Sequence, residues 1–259
     1  MTNLHDMQLE MVKMIADIDK LFKENDIKYT LLGGSVLGAI RHKGFIPWDD
    51  DMDIAVWRKD FDKAENLLAN LKPYTYEFAR KHIIPDAPTG HLHLINEKYP
   101  IELSPSIDVF ALDKVPADKK ERKKVQFMAN IFHATVYRKP PKNRGKFNKF
   151  IFTIFFAITP NFVLDILQQW SYRYMLNLSN KNYENLGNIF GAYNIKEDFK
   201  AEIYENLTLA EFENLSLPIP KDYDFYLTQM YGDYMKLPPI EQQKPKHKNI
   251  DFRRFANEI

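Results

Sequence analysis

The stretch Leu31–Ala55 reads LLGGSVLGAIRHKGFIPWDDDMDIA. A β-type run, Ile27 to Leu32, enters the turn Gly33-Gly34-Ser35, and Val36 to Arg41 predicts one or two helical turns. Gly44 and Pro47 make His42 to Asp50 a loop. Met52 to Trp57 then reads as a strand, so Asp51 and Asp53 project to one face while Met52 and Ile54 pack on the other. Two carboxylates on one face suit hard divalent cations such as Mg2+ or Mn2+. The plain alternative is a solvated acidic turn, and the interleaved apolar residues count against it.

The other parts of the stretch also carry two readings each. Backbone N–H groups at a helix N-terminus favour a phosphate, and glycines allow its close approach. Alternatively, Ser35 only caps the helix. The stretch fits neither a Walker A loop nor a Gly-x-Gly-x-x-Gly fingerprint. Arg41, His42 and Lys43 can face a phosphate or stay solvated. Trp48 can stack on a substrate ring or anchor the loop.

A third acid lies in the later run IDVFALD, where Asp108 sits between Ile107 and Val109. A carboxylate in an apolar strand is costly unless partnered. A metal shared with Asp51 and Asp53 is one partner, and a Lys or Arg is the other. Asp113 is expected to cap a turn, and Glu102 is a more distant candidate ligand. His91 and His93 alternate on one strand face and are a weaker metal-binding pair.

Working outward, Asn3 to Glu24 predicts an amphipathic helix with Leu4, Met7, Met11, Ile15, Ile18 and Phe22 on its apolar stripe. Helix is expected over 61–71, and strands over 74–79, 91–95 and 101–110. The pattern is α/β, in the α+β sense: a mixed sheet core over 1–115, with a mostly helical half after it. A charged helix over 118–135 and apolar helices over 150–178, broken at Pro160, make a segment 116–182. Strand-like pieces over 199–204 and 207–212 and a helix over 223–231 fall in a last region, 183–259.

A chain of 259 residues with a formal net charge of +1 can bury a substantial core, and it shows no sustained basic stripe for nucleic acid. With no cysteine, disulfides and thiolate metal sites are excluded. The N-terminus lacks the pattern of a signal peptide. The apolar run Phe150 to Thr159 is shorter than the roughly 20 residues a membrane-spanning helix needs. Basic residues precede it, so it is either a buried helix after a basic loop or a segment lying at an anionic membrane surface.

The Gly-Gly-Ser turn, the Asp-x-Asp pair and a third strand Asp together resemble the nucleotidyltransferase superfamily. Within it the chain resembles the LicD family. GGSVLGAIRHKGFIPWDDDMDI, IDVFALD, FGAYNIKEDF, LTLAEFENLSLPIPKDYDFYL and YGDYMKLPP carry the likeness through most of the chain. Ala111 stands where the family usually has Pro, and Lys246-His247 stands where it often has paired His.

The resemblance implies a nucleotidyltransferase-like core and a CMP-releasing transfer of phosphocholine from CDP-choline onto a sugar of a cell-surface glycan. Teichoic acid, capsule and lipopolysaccharide precursors, lipid-linked or polymeric, are the implied acceptors. Other CDP-activated donors, carrying ribitol or glycerol phosphate, are the alternative. A binding or scaffold protein with a disabled site is the alternative of another class. Asp51, Asp53 and Asp108 are the implied catalytic residues and ligands of two Mg2+ or Mn2+ ions. Gly33, Gly34, Ser35, Arg41, His42, Lys43, Trp48 and His247 are the implied substrate-binding residues. Such an enzyme would be cytoplasmic, either free or at the inner face of the membrane.

Overall fold

The structure is a computed structural model that describes residues 4–77, 91–99, 104–138, 145–190 and 197–245. The chain forms two compact units, one of residues 1–78, 91–112 and 199–259, the other of 79–90 and 113–198.

The first unit begins with α1 (Leu4–Glu24), whose Met7, Met11, Ile15, Ile18 and Phe22 are buried as their spacing predicts. Strand β1 (Tyr29–Leu31) leads directly into α2 (Gly33–His42), so the glycines open the helix instead of preceding it. Strand β2 (Met52–Trp57) and helix α3 (Arg58–Leu68) follow. Next come β3 (Tyr74–Glu77), β4 (His91–Asn96) and β5 (Ser106–Val115).

The sheet order is β1-β2-β5-β4-β3. Within this order β2 and β5 run parallel, and β1–β2, β5–β4 and β4–β3 are antiparallel. A mixed sheet with both central strands almost wholly buried explains their near-continuous apolar runs. In the fully buried face lie Met52, Ile54, Val56, Ile107, Val109 and Ala111.

Strand β5 passes from the first unit into the second at Asp113. Asp113 is fully buried and pairs with Gly187 in the strand ladder, so it does not cap a turn as expected. The second unit contains α4 (Lys119–Tyr137), α5 (Gly145–Ile158), α6 (Asn161–Leu176) and β6 (Asn185–Gly187). Asp118 caps α4 by accepting from the N–H groups of Lys120 and Glu121. Its core joins Val125, Phe132 and Val136 of α4 to Met175 of α6, with Phe190 alongside.

The chain continues through β7 (Asp198–Lys200), α7 (Ala201–Glu205), β8 (Leu207–Phe212), β9 (Leu215–Pro220) and α8 (Tyr223–Tyr231). Residues 201–205 are therefore helical where a strand-like piece was expected. Strand β9 forms despite Pro218 and Pro220, because its only sheet partner in the two-stranded β8–β9 hairpin is β8. Proline lacks an N–H donor and is tolerated on such an edge strand. Glu102 and residues 78–79 of the expected β3 lie outside the described residues.

Candidate active site

The site is built where β2 and β5 run side by side in the first unit. Their parallel register pairs Asp53 with Asp108, which puts both side chains on one face of the sheet. The antiparallel neighbour β4 pairs His93 with the same Asp108. The His93 Nδ1 lies 2.5 Å from Asp108 Oδ1. An imidazole is thus one partner of this strand-borne acid. Asp108 and His93 are both partly buried, where their interaction is less screened than at the surface.

Asp51 stands two residues before Asp53, at the entry to β2. It belongs to a run of three acids: ligand oxygens of Asp49, Asp50 and Asp51 all lie within 4.8 Å of one another. Asp50 is fully buried, and Asp49 and Asp51 are partly buried. Like charges this close repel unless a cation or donors compensate them. Oxygen donors alone, several of them half-buried, are a set that hard divalent ions accept. The donor set therefore fits Mg2+ or Mn2+. Asp49 and Asp50 precede β2, where strand alternation gives no signal for a ligand.

Helix α2 brackets these acids. The Ser35 hydroxyl accepts a hydrogen bond from the Asp53 backbone N–H at 2.9 Å. Ser35 thus ties the helix to β2 and does not cap it; the N-cap position is Leu32, with no side-chain cap. The Leu32 N–H donates to the Asp53 carbonyl at 3.0 Å, so Asp53 is gripped at both backbone groups. Gly33 donates its N–H to the Tyr226 hydroxyl at 2.8 Å. Ser35 donates its N–H to the Leu32 carbonyl. Two N–H groups of the Gly-Gly-Ser turn are therefore already engaged.

A Cβ at Gly34 would stand 3.2 Å from Asp49 Oδ2. Glycine here lets the acidic loop close onto the start of α2. That end of a helix carries partial positive charge and favours a carboxylate. From α1, the Gln8 amide donates to the carbonyls of Ile46 and Asp49, at 3.1 and 2.9 Å, and holds the loop from its other side.

The basic residues lie at the far end of α2. Arg41 is six residues after Ser35, about 9 Å along the helix at 1.5 Å per residue. Its Nη1 donates to the Tyr234 carbonyl at 2.7 Å and its Nε to His42 Nε2 at 2.9 Å. Guanidinium nitrogens only donate, so His42 accepts as a neutral ring with its proton on Nδ1. Burial and the adjacent Arg41 cation both push the His42 pKa down, which agrees. Burial also lowers the Arg41 pKa.

Lys43 ends the helix in the left-handed region, with its side chain exposed and its carbonyl accepting from Glu213 N–H. Trp48 is half-buried and meets His42 edge to face, with centroids 6.2 Å apart. His247 lies outside the described residues.

The first unit is thus an α+β fold whose mixed sheet presents paired carboxylates beside an acidic loop at a helix N-terminus. The family model for "LicD/FKTN/FKRP, nucleotidyltransferase domain" matches residues 26–137, which include all of these acids. The lipopolysaccharide cholinephosphotransferase LicD of Haemophilus influenzae is 30% identical over 94% of this chain and 96% of its own length. The chain belongs to the LicD family.

The human ribitol 5-phosphate transferase FKRP is 46% identical over 41 residues, 16% of this chain and 8% of that protein. Among solved structures, that of the antibiotic-resistance factor ANT(2'')-Ia is 12% identical with a TM-score of 0.29, covering 64% of this chain and 94% of that one. That likeness is too slight to bear on the fold.

Proposed function

We propose that this chain is a phosphotransferase that moves a substituted phosphate group onto a sugar hydroxyl of a cell-surface glycan, with phosphocholine from CDP-choline as the first candidate. The observation that carries this reading is the near full-length match to a lipopolysaccharide cholinephosphotransferase. A second reading keeps the reaction and replaces the donor by a CDP-polyol such as CDP-ribitol. The short FKRP match favours it, over a sixth of the chain.

Asp51, Asp53 and Asp108, with Asp49 and Asp50 beside them, would hold divalent cations. Such ions, when bound, would supply Lewis-acid stabilisation of charge on the transferred phosphate and the leaving CMP. The chain's own residues do the rest. Asp108 is the acid proposed nearest the attacking hydroxyl, as metal ligand or general base, and His93 fixes the orientation of its carboxylate. Ser35 and Leu32 fix the backbone of Asp53 from α2. Arg41 and Lys43 supply positive charge for the phosphates of the donor. The tight Arg41–His42–Tyr234 arrangement presents that guanidinium in one orientation.

The test is CMP release from CDP-choline, CDP-ribitol and CDP-glycerol, with Mg2+ or Mn2+ and a glycan acceptor. Release from CDP-choline, with the choline label appearing on the acceptor, is expected. Release only from CDP-ribitol would replace the first reading by the second. No transfer from any donor would contradict both.

A further inference from the structure

In the second unit, α5 is an apolar helix without a core. Its sequence from Phe150 to Ile158 is FIFTIFFAI, and none of these side chains is buried. Phe150 and Ile158 are 63% and 73% exposed. The ring of Phe156 meets those of Phe152 and Phe155 along the helix. Pro160, which cannot continue α5, turns the chain into α6 at 113°.

Helix α6 has a buried face and an exposed apolar stripe. Leu164, Gln168, Ser171 and Met175 point into the unit and are buried. Phe162, Ile166 and Trp170, spaced by four residues, form an outer stripe that is 65%, 61% and 50% exposed. Exposed apolar residues grouped in this way along two successive helices mark an interaction site.

We propose that α5 and the outer stripe of α6 dock on an anionic membrane surface. The argument for lipid over protein is charge. From Lys139 to Lys149 the sequence carries Lys139, Lys142, Arg144, Lys146 and Lys149 and no carboxylate. A second copy would carry the same basic run and bring no acidic complement in that segment. Anionic headgroups would neutralise them while the acyl boundary takes up the Phe, Ile and Trp side chains. The 14 residues of α5 rise about 21 Å, short of the roughly 30 Å hydrocarbon core, so the helix lies in the interface and does not cross it. No single helix among the described residues is long and apolar enough to span. This inference is independent of the proposed transfer reaction.

The experiment is flotation of the full chain with vesicles of phosphatidylcholine alone and of phosphatidylcholine mixed with phosphatidylglycerol. The chain is expected to float with the anionic vesicles and to be released by high salt. The variant Phe150→Ser/Ile154→Ser/Ile158→Ser is expected to lose about tenfold or more in partitioning. Its thermal melt should stay that of the parent, because the replaced side chains are exposed. Brominated lipid should quench the fluorescence of the parent more than that of Trp170→Phe. Absence of flotation with anionic vesicles, or undiminished flotation of the triple variant, would overturn the proposal. A parent dimer that the triple variant dissolves, without vesicle binding by the parent, would assign the face to a second copy and overturn it as well.

Discussion

The corner between α2 and β2 and the helix α5 are both apolar in sequence, yet they are used in opposite ways. In the corner, Val36, Ala39, Met52 and Ile54 are fully buried, and Asp53 is held through both its N–H and its carbonyl. Helix α5 is more apolar still and buries none of its described side chains. Apolar composition therefore says that a surface will be covered; it does not say by what. The corner is covered by its own chain, which holds the backbone of Asp53 in place. Helix α5 has kept its apolar surface outward.

The largest effect is expected from the acids. Asp108→Asn keeps the shape of the side chain and its contact with His93 while removing the negative charge. A loss of about a thousandfold or more in the proposed transfer rate is expected, in line with removal of a group acting on transition-state charge. The melting temperature should move little, and calorimetry would check both that and the folded fraction used in the assay.

The packing of the corner can be broken without touching an acid. A Cβ at Gly38 would stand 2.5 Å from the Gly44 carbonyl oxygen, a backbone atom that cannot step aside alone. Gly38→Ala is expected to destabilise the chain by about 1–3 kcal/mol, the usual cost of overpacking. Denaturant unfolding would measure it. Ser35→Ala removes the acceptor of the partly buried Asp53 N–H. Loss of about 1–2 kcal/mol is expected, with a fall in activity beyond the stability effect if Ser35 aims Asp53. Replacement of Ile154 by Ser on α5 should change stability by less than about 0.5 kcal/mol, as for surface positions generally. A large cost there would mean that α5 packs on its own chain, and the contrast between the two regions would fail.

How much of this was legible beforehand follows from which forces are local. The stripe of α1, the strand Met52–Trp57 and the helix Tyr223–Tyr231 rest on periodicity, and each is found within a residue of its expected bounds. The parallel pairing of Asp53 with Asp108 is a long-range register that no local pattern encodes. The expectation that Asp108 needs a partner followed from the cost of burying charge. That the structure supplies His93 depends on the β4–β5 register. Ser35 looked like a cap because Ser before an apolar run is the usual cap signal, but its hydroxyl is taken by a neighbouring strand. Strand β9 was hidden by two prolines, which argue against a central strand but not against one edge of a hairpin. The hairpin turn at Glu213 also lacked a glycine signal. Its left-handed backbone is held by a bond from its N–H to the Lys43 carbonyl and one from the Phe45 N–H to its carboxylate.

The central claim is that the carboxylates aligned by β2 and β5 carry a phosphotransfer reaction. Its most direct test is CMP release by Asp53→Asn beside the parent, with the active donor and a glycan acceptor, on protein of matched thermal stability. A fall of about a thousandfold or more is predicted. Release at the rate of the parent would contradict the claim.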